Sequence, residues 1–242
     1  MRTALLRVVR GMPSGFLTGG AVVIGMTLSV FAVYVVSPSA TPDDQVGSVA
    51  RVGVSEGDAL PAYVAHTRAV LLSLAGTRDR YALVSFSAYL GPDRLTPVVA
   101  PVMVSSVFTH VPLQDVQTDL LRLGAYQIPQ DVLAAMDLTA QNEDASAANF
   151  TRMQRLAAGH DDATAQVYAA SALVTSEQAT AYRQHCSCVY AAVVRGSPAA
   201  LRSLVGRGEV RAVDVVPEPT RLDRTVFLPP LPEETSTATS VP

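Results

Sequence analysis

The chain has 242 residues, 49% of them hydrophobic and 16% charged, with 21 acids against 18 basic residues and a formal net charge of −3. All 18 basic residues are arginine and there is no lysine or tryptophan, a usage that a GC-rich codon bias explains. Arg2, Arg7 and Arg10 precede every acid, so the rest of the chain carries 15 arginines against 21 acids, a formal −6. That sign argues against nucleic acid as a partner, because its binding draws mainly on positive charge meeting phosphate.

An uninterrupted apolar run opens at Phe16 and closes at Val36. As a helix rising about 1.5 Å per residue it would be roughly 31 Å long, enough to cross a hydrocarbon core of about 30 Å. The three arginines before it, with Asp43 and Asp44 after it, predict an N-terminus inside and a C-terminal domain outside the cytoplasmic membrane. A cleaved export signal is the rival reading. Its apolar region would usually be shorter, and the one small-residue candidate for cleavage, Ser37-Pro38-Ser39-Ala40, places proline where a small side chain is wanted. Ala21, Gly25 and Ser29 recur every four residues and offer a face on which two such helices could form a homodimer. The expected organisation is a cytoplasmic tail at 1–15, a transmembrane helix at 16–36, a linker at 37–54 rich in Ser, Pro, Asp and Gly, an extracytoplasmic domain at 55–216, and a Pro-rich, mostly disordered tail at 217–242.

Within the domain, Ser55 and Asp58 have capping-box spacing, and a largely apolar helix follows through Leu74 to Gly76. Residues 81–89 alternate and are bounded by Gly91-Pro92, which predicts a strand. A short helix opening at Pro92 comes next, since proline in a first helical turn forfeits no hydrogen bond. Residues 102–110 form a second β-rich run, and 116–123 alternate weakly enough for one more strand. The same strand–helix–strand order recurs at 188–195, from Pro198, and at 210–216, where Pro198 matches Pro92, Leu201 matches Leu95 and Leu204 matches Val98. Two such βαβ halves sharing one antiparallel sheet, with helices on a single face, give an α+β, ferredoxin-like arrangement.

Between the halves, residues 129–184 read as a long helical hairpin turning at Gly159-His160. Its seam is expected at Val132, Met136, Thr139, Glu143, Phe150 and Met153 on one arm, and at Val167, Ser171, Val174, Gln178 and Ala181 on the other. The first arm is longer than a domain core requires, so its tip is free either to meet a partner or to fold back on the sheet. In the tail, Val226-Phe227-Leu228 ahead of Pro229-Pro230-Leu231-Pro232 is the apolar exception and is expected to dock on its own domain. Asn149-Phe150-Thr151 matches a glycosylation sequon but falls inside a helix.

One local cluster invites chemistry, His185-Cys186-Ser187-Cys188, which holds both cysteines of the chain. Outside the membrane thiols meet oxidising conditions. In an extended segment residues i and i+2 share a face, so the two sulfurs could hold a soft metal such as Cu(I) with His185 as third ligand. A disulfide across one residue could instead serve thiol exchange. The plainer reading is a structural cross-link between Cys186 and Cys188. His66, His110 and His160 read as ordinary polar residues, and the acidic pairs Glu143-Asp144 and Asp161-Asp162 as solvated helix or turn surfaces. No nucleophile elbow, H-E-x-x-H, Walker loop or G-x-G-x-x-G occurs. No catalytic residue and no cofactor is therefore assigned.

The segments Cys186 to Arg195, Pro198 to Arg202, Val210 to Asp214 and Phe227 to Pro232 resemble a group of uncharacterised single-pass membrane-anchored proteins of actinobacteria. The likeness covers mainly the last quarter of the chain. It implies a cell-envelope setting and no activity. The function expected is a protein-interaction or scaffold domain of the cell envelope, with a thiol-redox or copper-binding protein using Cys186 and Cys188 as the alternative.

Overall fold

Seven strands and five α-helices are present in the computed structural model, which describes residues 49–114, 116–218 and 222–238. The segment expected to cross the membrane, the tail before it and most of the linker lie outside the described residues. Among the described residues no helix is long and apolar enough to cross a membrane.

Strand β1 (Ala50–Gly53) opens the described chain and is followed by helix α1 (Leu60–Ser73). The Ser55 N–H donates to Asp58 Oδ2 at 2.7 Å, but this pair closes a turn ahead of the helix, which begins at Leu60-Pro61 without a side-chain cap. Strand β2 (Arg80–Leu90), helix α2 (Pro92–Val99) and strand β3 (Met103–His110) make the first strand–helix–strand unit. Strand β5 (Val189–Gly196), helix α5 (Pro198–Arg202) and strand β6 (Val210–Val215) make the second. Between them stand strand β4 (Leu120–Gly124) and the hairpin of α3 (Gln130–Ala157) and α4 (Asp162–Arg183).

Five strands pair antiparallel in the order β4-β3-β5-β2-β6, so the two units interleave and neither is complete without the other. The fold is α+β. Helices cover one face: Leu95, Val98, Val99, Leu201 and Leu204 pack there with Val84, Phe86, Val107 and Val194 of the sheet and with Val132, Met136 and Tyr182 from the base of the hairpin. The residues matched between the two units thus occupy the same core. Helix α1 runs beside the edge strand β6 and sends Leu71 into that core, while Arg202 donates to the Leu74 carbonyl at 2.9 Å at its C-terminal end.

The other face is also covered, by the chain segments that flank the domain. The end of the expected linker is strand β1, which corrects that expectation, whereas Val226-Phe227-Leu228, expected to dock on its own domain, does so within strand β7 (Thr225–Leu228), paired with β1 in parallel as a two-stranded ribbon. Val52 and Phe227 of the ribbon pack on Leu83, Phe108, Tyr190 and Val193. Two-sided burial explains why β5 is apolar almost throughout where a half-exposed strand would alternate. Past the ribbon the chain stays tied down. Arg211 donates to the carbonyls of Leu231, Pro232 and Glu234, and Ala238 exchanges backbone hydrogen bonds with Gly57 and Asp58. A Pro-rich segment with few side chains to bury is held here by its carbonyls, an interaction that side-chain composition does not reveal.

Candidate functional site

The corner between α4 and β5 holds the cysteines. The N–H of His185 donates to the Tyr182 carbonyl and that of Cys186 to the Ala181 carbonyl, a Schellman closure of α4 with His185 in the left-handed region at φ +52°. That turn brings His185 Nε2 to 2.8 Å from Asp137 Oδ1 on α3. Cys186 and Cys188 are joined to each other as a disulfide with Cα atoms 5.3 Å apart. Cys188 is wholly buried in the main core and Cys186 is half-buried. The three expected residues do lie together. In the disulfide neither sulfur is a thiolate, so metal binding there requires prior reduction, whereas exchange requires an incoming thiolate to attack one sulfur and release the other. Among the described residues no group of three His, Cys, Asp or Glu side chains is placed to hold a metal ion.

The acidic pairs have structural roles. Asp161 caps α4 by accepting from the Thr164 N–H at 3.0 Å and hydroxyl at 2.7 Å, and these bonds hold its pKa below the ordinary value. Asp144 pairs with Arg183 across the hairpin on an exposed surface. Glu143 is raised by burial and by the nearby Asp119. The sequon lies within α3, where Thr151 donates back to the Ala147 carbonyl.

Folding assembles three further clusters. Asp214 of β6 sits in a cavity of about 640 Å³ beneath α1, where its Oδ2 accepts from the Gly53 N–H at 2.8 Å and from the Tyr63 hydroxyl at 3.1 Å. Burial raises the Asp214 pKa more than these bonds and the neighbouring His66 lower it, and burial beside the carboxylate also raises that of Tyr63. On β2, the Tyr89 hydroxyl donates to Glu233 at 3.0 and 3.2 Å and lies 2.6 Å from His110 Nδ1. The chain of bonds ties the C-terminal segment to the sheet, and burial holds the His110 pKa below its ordinary value.

The third cluster lines a cavity of about 430 Å³ between the sheet and the C-terminal segment. Arg122 of β4 stands opposite Phe108 of β3, with its guanidinium carbon 5.7 Å from the Phe108 ring centre and 5.1 Å from that of Phe227. Its Nε donates to Ser106 Oγ at 2.9 Å. Burial lowers its pKa, and no carboxylate forms an ion pair with it among the described residues. None of these clusters has a local sequence signature, because each joins residues from distant elements. Only the lone Arg122 amid alternating apolar residues marks its place, and the phenylalanines that flank it lie 14 and 105 positions further off.

No protein-family model matches this chain, nor does any curated protein or solved structure.

Proposed function

We propose that the chain is a membrane-anchored, extracytoplasmic protein-interaction module of the cell envelope, with the hairpin as its contact arm. Burial in α3 ends at Ala140, and in α4, apart from Ala165, it begins only at Thr175. The rest of α3, residues 141–157, runs for about 25 Å at 1.5 Å per residue. Leu156, Val167 and Leu173 on this arm are 63–67% exposed. This uncovered length is the observation that carries the reading, since an arm made only to close the core could stop several turns earlier. The sheet order β4-β3-β5-β2-β6 supports a ferredoxin-like body: without β4, two interleaved βαβ units remain. The apolar run from Phe16 to Val36 and the resemblance to actinobacterial envelope proteins support the location.

A photo-crosslinking side chain placed at Leu156 or Val167 in intact cells tests the arm, with Leu72 of α1, also exposed, as the comparison site. Discrete cross-linked partners are expected at the two arm positions and not at Leu72. Partners unchanged by shortening the hairpin would remove the arm from the reading. Protease added from outside should digest the domain, and protection would overturn the location. Mass spectrometry with and without reductant and copper addresses the alternative function of the cysteine corner: stoichiometric copper or a readily reduced bridge would favour it.

A further inference from the structure

The Arg122 cavity has features that neither core packing nor the hairpin arm uses. Arg122 is exposed, but its guanidinium is fixed in place: Nε donates to Ser106 Oγ, and the guanidinium carbon stands over the rings of Phe108 and Phe227 at the edge of the cavity. No hydrogen bond from either terminal nitrogen is made among the described residues. Contrast Arg211 on the same side of the molecule, whose terminal nitrogens are taken up by three carbonyls. The space bounded by Arg122 is lined by Tyr190, Phe227 and Leu231, and it is of the size that takes a small organic molecule. Planar paired N–H groups match a carboxylate best. Two acids also line this space, Glu56 and Glu234. The second has its Oε2 occupied by the Leu231 N–H at 2.8 Å. Arg51 lines it too, so the two arginines and two acids balance, and one negative charge is better accommodated than the double charge of a phosphate.

We infer that this cavity binds a small monocarboxylate with an apolar body, the carboxylate on the terminal nitrogens of Arg122 and the body against Tyr190, Phe227 and Leu231. An aromatic ring or a short acyl chain fills the space. The site is independent of the hairpin arm and would stand if the arm proved to have no partner.

Full-length chain in detergent, titrated with 3-phenylpropionate and with 3-phenylpropionamide and compared with empty micelles, tests the assignment. The acid is expected to bind about tenfold more tightly than the isosteric amide. Arg122→Gln should bring the two ligands to equal affinity without weakening the amide, and Arg51→Gln, at another wall of the cavity, should leave the preference intact. Arg122→Lys keeps the charge without the fork and should fall between; it serves as the reading if the glutamine variant does not fold. Equal binding of acid and amide to the native chain, no saturable binding of the acid, or a preference lost in Arg51→Gln and kept in Arg122→Gln would each overturn the inference.

Discussion

Gly53 is held at φ +121°, and a Cβ built there would lie 2.1 Å from the Leu228 carbonyl oxygen of the paired strand. Because the obstacle is backbone, it can yield only by separating β1 from β7. Gly53→Ala should therefore cost about 3 kcal/mol in urea denaturation, whereas Gly57→Ala, at φ +82° in open space, should cost about 1 kcal/mol for conformation alone. The Gly53 N–H also reaches Asp214, whose carboxyl has its pKa raised by burial from an ordinary value near 3.8. A carboxyl raised on folding contributes full stability while protonated and loses it as pH rises through the folded pKa. Asp214→Asn keeps an acceptor for Gly53 and Tyr63 without the charge. It should therefore be more stable than the native chain at pH 7, with the difference shrinking as pH falls toward 3.8; melting curves across that range check it, and a difference that grows in acid would contradict it.

The helical hairpin combines a well-tied base with a lightly held arm. Val132, Met136, Tyr182 and Gln178 are buried at the base, while near the tip the main ring contact is Phe150 stacked on Tyr168, centroids 6.4 Å apart. Amides of residues 145–170 should therefore exchange with deuterium faster than those of 132–140 and 175–183, and equal protection would mean that the arm is covered. The element's existence, turn and limits were legible in sequence because helix-favouring residues run unbroken on either side of Gly159-His160. Its seam was legible at the base, where expected Val132, Met136 and Thr139 on α3 and Gln178 on α4 are buried and Ala181 packs against the core. Nearer the tip of α4 it was less so: Ala165 is buried and expected Val167 faces solvent. A seam of alanine, threonine and glutamine leaves little apolar periodicity to read there. At the helix end, His185 occupies a left-handed position that glycine takes without cost. His185→Gly should raise stability by about 1 kcal/mol in urea, since the exposed pair with Asp137 that it removes is worth little.

At the scale of the whole molecule, the central sheet was legible and its second cover only in part. Strands β2, β3, β5 and β6 announced themselves by alternation, β-branched runs and the prolines that open α2 and α5. The ribbon joins four residues near one end of the domain to four near the other, Ala50–Gly53 with Thr225–Leu228; the apolar triplet Val226-Phe227-Leu228 marked the second as a docking segment, but neither is long enough for periodicity to show that they pair as strands. The Arg122 cavity, roofed by the same segment, was hidden with it. What the ribbon hides is substantial: without it Leu83, Tyr190 and Val193, each at most 1% exposed, would face water together with Phe108. Returning four such side chains to solvent at about 1.5 to 3 kcal/mol each would consume most of the 5 to 15 kcal/mol by which domains are ordinarily stable. A chain ending at Glu218 should thus lose its cooperative urea transition and bind apolar dyes. Two point variants separate the apolar contribution from chain length: Phe227→Ala, at a residue 8% exposed and ring-packed on Phe108, should cost about 3 kcal/mol, and Val226→Ala, its 44% exposed neighbour, less than about 0.5 kcal/mol. Equal costs for the two would mean that backbone pairing alone holds the ribbon, and the sheet's second face would then be stable without an apolar cover.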